Sequence, residues 1–248
     1  MAAISLAKYE AVIFDLDSTL TDTKHYPLTA SRWLLEQIGP QAQARFDEYA
    51  SVLLERYFSQ IREVVEGGPY KYPLQIVRDA LSWALQDIGI SFKESLPGAT
   101  ANLFKEYHLE LSEAQPGVLD LLRLFEGEGL DMGVITNAFV GHIKPILTRL
   151  GIAHFFECFV DGGVVKAYKP SPAPFEFTMR QLGSEPSTTL FVGDEFYADI
   201  VGATNLGIDS IWINGRDRSL EDLLREHGEQ SRPILVAESV EDLVGLLS

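Results

Sequence analysis

Residues 11–21 read AVIFDLDSTLT, an apolar, β-branched run from Ala11 to Phe14 that gives way to Asp15-Leu16-Asp17 and then to Ser18-Thr19-Leu20-Thr21. A short run without polar alternation, closed by polar residues, predicts a strand buried on both faces, as in a parallel sheet covered by helices. Runs of the same kind follow at Met132–Ile135 before Thr136, Thr189–Val192 before Gly193, Asp209–Ile213 before Asn214, and late in the chain at Pro233–Val236. Between and after them, Val118–Glu128, Gly141–Leu150, Ala173–Leu182 and Val240–Leu247 carry helical periodicity. Such alternation implies an α/β domain built on a parallel sheet. Ligands of open sheets bind beyond the carboxyl ends of the strands, and those ends hold Asp15, Asp17, Thr136, Asn137 and Asp194.

From Asp22 to Gln115 the alternation stops. Leu28–Ile38, Gln41–Val65, Tyr72–Ile88 and Ala99–Leu111 each read as helix, with turns expected at Gly67-Gly68-Pro69 and Leu96-Pro97-Gly98. The stretch is far too long for a βα loop. It is expected to be an all-helical insertion of residues 22–115 into an α/β core of residues 1–21 and 116–248, with hinges near Thr21–Tyr26 and Glu113–Gly117.

The 248-residue chain carries 20 Lys+Arg against 36 Asp+Glu, a formal charge of −16. That surface repels phosphate backbones and anionic headgroups, so neither a nucleic acid polymer nor a membrane is expected as a partner. With 46% hydrophobic residues the chain has the side chains for a full core, which argues against disorder. The first residues, MAAISLAKYEAVIFDLD, lack the basic and apolar regions of a signal peptide, and no apolar run reaches the roughly 20 residues of a membrane span. A cytoplasmic location is the expectation. The single cysteine, Cys158 in HFFECFV, is expected to be a buried thiol.

Asp15 and Asp17 leave their strand where it breaks into a turn, so both side chains can converge on one ligand. Paired carboxylates repel at low dielectric unless a cation joins them, and Mg2+, which keeps waters for a phosphate to displace, suits the pair. Two turn or helix-capping aspartates are the alternative. Thr136-Asn137 offers a hydroxyl and backbone N–H groups to an anionic oxygen, or simply caps a helix. Lys169 places either a site cation or a solvated side chain in a stiff KPSP loop. Within Gly193-Asp194-Glu195-Phe196-Tyr197-Ala198-Asp199, Gly193 permits close backbone approach and Asp194 can join Asp15 on a metal. Asp199 and Glu195 either brace that metal site or cap a helix.

In combination, DLDST at 15–19, Thr136-Asn137, Lys169 of KPSPAPF and GDEFYAD at 193–199 occur in that order. Together they resemble the haloacid dehalogenase-like hydrolases, most closely phosphatases with a helical cap inserted after the first motif. Pro116-Gly117-Val118 resembles the re-entry into the core, so the resemblance spans nearly the whole chain; Glu195 departs from it, standing where many relatives carry a small polar residue. The resemblance implies a Rossmann-like three-layer core with a cap that selects the substrate. It also implies a Mg2+-dependent phosphatase acting on a small phosphorylated metabolite, with Asp15 as the nucleophile that forms an aspartyl-phosphate. Asp17 would be the general acid and base, its pKa above that of Asp15, and its backbone carbonyl would join Asp15 and Asp194 as metal ligands. Thr136, the Asn137 amide and Lys169 would hold phosphoryl oxygens, and Asp199 and Glu195 would support the metal.

Asp17 separates this chain from relatives that displace halide from carbon, which need no acid for a leaving oxygen. Phosphonate cleavage would call for a Schiff-base lysine in the cap, but Lys71, Lys93 and Lys105 are expected on the surface. A phosphomutase of phosphoglucomutase-like type stays open, because transfer to a sugar hydroxyl depends on how well cap closure excludes water. A non-catalytic binding or regulatory module on the same fold predicts loss of Asp15, Asp17, Lys169 or Asp194, and all are present. Against a receiver-type signalling domain stand the large insertion and the second carboxylate. Lys24, His25 and Tyr26 near the first hinge face either substrate or solvent, and His108, His142, His154 and His227 are expected on the surface or in helix packing. Monomer and homodimer are both compatible with these residues.

Overall fold

The computed structural model describes residues 5–23 and 25–247, so Lys24 lies outside the described residues. In chain order the strands are β1 (Ala11–Asp15), β2 (Thr21–Asp22), β3 (Glu113–Ala114), β4 (Asp131–Thr136), β5 (Cys158–Asp161), β6 (Thr189–Gly193), β7 (Asp209–Ile213) and β8 (Leu235–Ala237). Six of them form an all-parallel sheet in the order β5-β4-β1-β6-β7-β8. From β1 the chain winds outward through β4 to β5, then restarts at β6 on the other side of β1 and winds through β7 to β8 the opposite way. The reversal opens a crevice between the ends of β1 and β6, which is where Asp15 and Asp194 stand.

Five helices separate β2 from β3: α1 (His25–Ile38), α2 (Pro40–Gln43), α3 (Phe46–Val65), α4 (Pro73–Asp87) and α5 (Ser95–Leu111). The remainder are α6 (Val118–Gly127), α7 (Ile143–Arg149), α8 (Gly162–Val165), α9 (Pro172–Leu182), α10 (Gly202–Thr204), α11 (Leu220–His227) and α12 (Val240–Leu247). Successive side chains of β1 point to opposite faces of the sheet. Val12 and Phe14 join Leu121, Phe125, Ile146 and Leu243 from α6, α7 and α12, whereas Ile13 joins Phe175 and Met179 of α9. Helices on both faces of the parallel sheet make the α/β architecture that the strand pattern predicts and the three-layer, Rossmann-like core that the resemblance implies. The α1–α5 helices bury a core of their own, with Ala30, Leu34, Tyr49, Leu81 and Leu85 at its centre.

Several expected elements differ. Gln41–Val65 is two helices rather than one, because Gly39 at φ 130° and Pro40 start a single tight turn that ends before Phe46. Leu96-Pro97-Gly98 is not a turn between elements but the first turn of α5, where a proline's missing N–H costs nothing. The last strand is Leu235–Ala237 rather than Pro233–Val236, since the Pro233 nitrogen has no hydrogen to give a ladder. Cys158–Asp161, noted in the sequence only for its thiol, is edge strand β5; Cys158 is buried there, and burial raises its thiol pKa. The ribbon of β2 and β3 falls where the hinges were expected, so the stretch is not wholly helical. Among the described residues no helix is long and apolar enough to cross a membrane.

Candidate active site

Beyond β1 the chain reverses sharply. Ser18 adopts the left-handed region at φ 66°, its N–H donates to the Thr21 carbonyl (2.7 Å), and the Leu20 and Thr21 N–H groups both return to the Leu16 carbonyl. Few non-glycine residues accept that backbone. The turn aims Asp15 and Asp17 into a cleft of about 970 Å³, which Thr136, Asn137, Lys169, Asp194, Glu195 and Asp199 also line. Eight residues from four segments far apart in sequence are thus brought together by the parallel sheet.

Lys169 sits at the bottom, 2% exposed. Its Nζ donates to Asp15 Oδ1 (2.5 Å), lies 2.7 Å from Asp199 Oδ1 and reaches the Ile135 carbonyl at 3.3 Å. Burial opposes its charge, but the two carboxylates outweigh burial and raise its pKa. The backbone of Lys169 is gripped in turn by the Asn137 carboxamide, which accepts from the Lys169 N–H (2.8 Å) and donates to its carbonyl (2.9 Å). That two-point grip fixes the orientation of the carboxamide and leaves one Nδ2 hydrogen, beside the Asn137 backbone N–H, to meet a phosphoryl oxygen. Thr136 Oγ1 donates to Asp17 Oδ2 (3.2 Å) and accepts from the Ala138 N–H (3.0 Å).

At the end of β6, Gly193 leaves no room for a side chain. A Cβ there would lie 2.4 Å from Asp199 Oδ2, and Asp199 cannot yield because its other oxygen holds Lys169 while Oδ2 accepts from the Glu195 N–H (3.0 Å). Asp199 itself sits in a π-helical turn, Phe196–Val201, an irregularity that recurs at functional sites. Trp212 Nε1 donates to the Asp194 carbonyl (2.9 Å), and Arg216 Nη2 donates to Asp194 Oδ2 (3.0 Å) while Nη1 pairs with Glu195 Oε1.

Asp15, Asp194 and Asp199 each offer an oxygen within 4.8 Å of the others, and Asp15 Oδ2 is buried with no hydrogen-bond partner. Burial raises all three pKa values, with repulsion adding to it from Asp199 and Asp17 at Asp15, from Asp15, Asp199 and Glu195 at Asp194, and from Glu195 at Asp199; Asp15 is pushed up to about 8 despite Lys169. An all-carboxylate set with an orphaned oxygen fits a hard divalent cation. The carboxylate of Asp17 stands outside this set, so a metal contact from Asp17 is left to its backbone carbonyl. In the metal-free site burial pushes Asp17 up, but the charge and hydrogen bond of His108, with Thr136, outweigh it and hold Asp17 below the usual carboxylate range, opposite in direction to Asp15. The cause is location, since Asp15 faces two other carboxylates and Asp17 faces donors.

Three contributors were missed. Of the two places expected for them, His108 and His142 take helix packing rather than the surface, but with a polar role the sequence did not suggest: both are buried, their rings stack at 5.2 Å and 16°, and His108 Nε2 meets Asp17 Oδ1 at 2.8 Å. Nothing local signals a contact spanning 91 residues. Arg216, by contrast, follows the end of β7, so the strand-end rule applied to Gly215-Arg216-Asp217-Arg218 would have found it. His227 lines the cleft stacked on Phe196 and Tyr197, while His154 leans on Phe155. Tyr26 lines the cleft but His25 does not, and none of Lys71, Lys93 and Lys105 lines it either.

Known proteins resemble this chain in sequence and fold. The chain is 28% identical to glyceraldehyde 3-phosphate phosphatase from Methanothermobacter thermautotrophicus over 90% of its own length and 92% of that protein. It is 30% identical to phosphoglycolate phosphatase from Pseudomonas putida over 82% of its own length and 68% of that protein. Among solved structures, the L-2-haloacid dehalogenase RSc1362 superposes with a TM-score of 0.76 at 23% identity, covering 96% of this chain and 98% of that one. YfnB from Bacillus subtilis, described as bound to magnesium, superposes at 0.74 and 22% identity, with 96% and 98% covered. At those identities the structural likeness speaks for the fold alone. The model of the haloacid dehalogenase-like hydrolases, however, matches residues 12–213, from the strand that delivers Asp15 to the end of β7, and so spans every strand that carries a residue of the cleft. The chain belongs to the haloacid dehalogenase-like hydrolase family.

Proposed function

We propose that this protein is a Mg2+-dependent phosphatase of small phosphorylated metabolites that works through an aspartyl-phosphate on Asp15. The observation that carries the reading is the state of Asp15, a residue lining the cleft: one oxygen is fixed by Lys169 and the other is buried and unpartnered. A carboxylate so held is oriented for in-line attack on phosphorus. A cation on Asp15 would favour its carboxylate, and the anionic phosphate beside Asp17 would favour its protonated form; in the first step an Asp15 oxygen bonds to phosphorus, the bond to the leaving oxygen breaks, and the proton from Asp17 goes to that oxygen. In the second, Asp17 takes a proton from water, the water oxygen bonds to phosphorus, and the Asp15 carboxylate is released with phosphate.

Lys169 offsets the charge on Asp15, and Thr136 stands beside Asp17, where a phosphoryl oxygen arrives. Asp15, Asp194 and the Asp17 carbonyl, with Asp199 and Glu195 behind them, would hold Mg2+, which supplies the charge that lets one anion approach another. Residues 22–115 act as the cap: Tyr26, Leu53, Tyr57, Phe58, Ile61 and Phe104 form the wall opposite Asp15 and meet the leaving group. The names of the two relatives support a short phosphorylated metabolite as substrate, and Asp17 supports a leaving oxygen rather than a halide.

Phosphate release from a panel of phosphomonoesters, including phosphoglycolate and glyceraldehyde 3-phosphate, tests this. Turnover should need Mg2+, stop with EDTA and vanish in Asp15→Asn. Turnover that survives Asp15→Asn would sink the reading.

A further inference from the structure

We propose that His108 is a positioning residue for Asp17, and that His142 sets the tautomer of His108, so that the nitrogen facing Asp17 carries the hydrogen. The inference rests on the role of Asp17 given above. His108 lies on α5 and Asp17 beyond β1, yet His108 Nε2 and Asp17 Oδ1 are 2.8 Å apart. The His108 ring is wholly shielded from solvent. Tyr26 leans on it at 5.0 Å, Phe139 at 5.5 Å and His142 at 5.2 Å, so the ring has no room to flip.

Its second nitrogen has one partner. His108 Nδ1 and His142 Nδ1 are 3.0 Å apart. Two ring nitrogens at that distance repel unless a single hydrogen lies between them, so the protonation of one ring dictates that of the other. Asp17 selects between the two arrangements: with His142 Nδ1 donating and His108 Nδ1 accepting, a neutral His108 carries its hydrogen on Nε2, the edge that faces the Asp17 carboxylate, whereas the reverse would turn a lone pair to that carboxylate. A partner on the far nitrogen that sets the near one is how oriented imidazoles are held elsewhere in enzymes. With Thr136 Oγ1 on Oδ2 and His108 on Oδ1, both oxygens of Asp17 are pinned and the plane of its carboxylate is fixed.

A purely structural role accounts for less. The end of α5 is already tied to α7 by Arg149, whose Nε donates to the Leu109 carbonyl (3.0 Å) and whose Nη2 donates to the Ser112 carbonyl. An apolar ring would fill the space among Tyr26, Phe139 and His142 without burying two more nitrogens. What the two histidines add is direction, and a proton donor must lie within hydrogen-bond reach of the leaving oxygen to be effective.

Leaving-group dependence separates these roles. An alkyl phosphate needs a proton on its leaving oxygen, whereas p-nitrophenyl phosphate departs as a stabilised phenolate without one. With enzyme in excess and Mg2+ present, His108→Ala should slow single-turnover release of the alcohol from the best alkyl phosphate by about 10²-fold. Release of p-nitrophenolate should stay near the wild-type rate. His108→Gln, which keeps an N–H for Asp17, should recover part of the alkyl rate, and His142→Phe, which leaves His108 in place but unpartnered, should lower that rate selectively as well. If His108→Ala does not fold, His142→Phe and His108→Gln carry the test. Equal slowing of both esters in every folded variant, or no slowing of either, overturns the proposal. Wild-type protein that releases neither product would instead overturn the phosphatase reading itself.

Discussion

His142 is 3% exposed, and its Nε2 has no partner, so charging it would place an imidazolium in a closed pocket. Burial, the neighbouring His108 and Lys105 all push its pKa down, against the pull of Asp17, to about 4. In the unfolded chain the same ring titrates near 6.5. Between these values the unfolded state binds the proton that the folded state refuses, so stability is complete above about pH 6.5 and declines as pH falls toward 4. The loss attributable to this ring is up to about 3 kcal/mol. Urea unfolding at pH 7 and pH 5 should show a larger drop for the wild type than for His142→Phe. An equal drop in the two proteins would mean that His142 is not the group responsible.

Among the elements, α10 and α9 meet at a contact that governs the Lys169 loop. A Cβ on Gly202 would lie 2.8 Å from Phe175 Cζ and 3.1 Å from Pro170 Cα. Alanine in place of glycine within a helix gains up to about 1 kcal/mol from propensity. Overpacking costs about 1–3 kcal/mol, and here the obstacles are a buried ring and a backbone atom, so the cost wins. Gly202→Ala should therefore lower the unfolding temperature, and by displacing Pro170 it should lower turnover through Lys169. Thermal melts beside phosphate release check this, and a variant that melts higher than the wild type would contradict the packing argument.

At the scale of the whole molecule, folding crowds Asp15, Asp194 and Asp199 around one point in a chain already at −16. A ligand that binds only the folded state stabilises it, by about 2.7 kcal/mol at a hundredfold excess over its dissociation constant. Mg2+ should raise the unfolding temperature by several degrees, EDTA should reverse the rise, and Asp194→Asn should show little of it. No metal-dependent shift in the wild type would count against a cation at this cluster.

The same crowding marks the boundary between what was legible in the chain and what was not. Strand and helix periods are local properties, so the sequence by itself determined the alternation of β1, β4, β6 and β7 with their helices, and the cleft residues that lie at strand ends followed from it. The short edge strand β5 and the break before Phe46 escaped because propensity there is weak and neighbours decide. Only the tertiary structure decided that the carboxylate of Asp17 turns from the acidic cluster to His108, that the Asn137 carboxamide holds Lys169, and that Arg216 faces Asp194 and Glu195. Those contacts join residues tens of positions apart, and the direction of a pKa shift depends on which charges the fold sets beside a group, a quantity no local pattern contains.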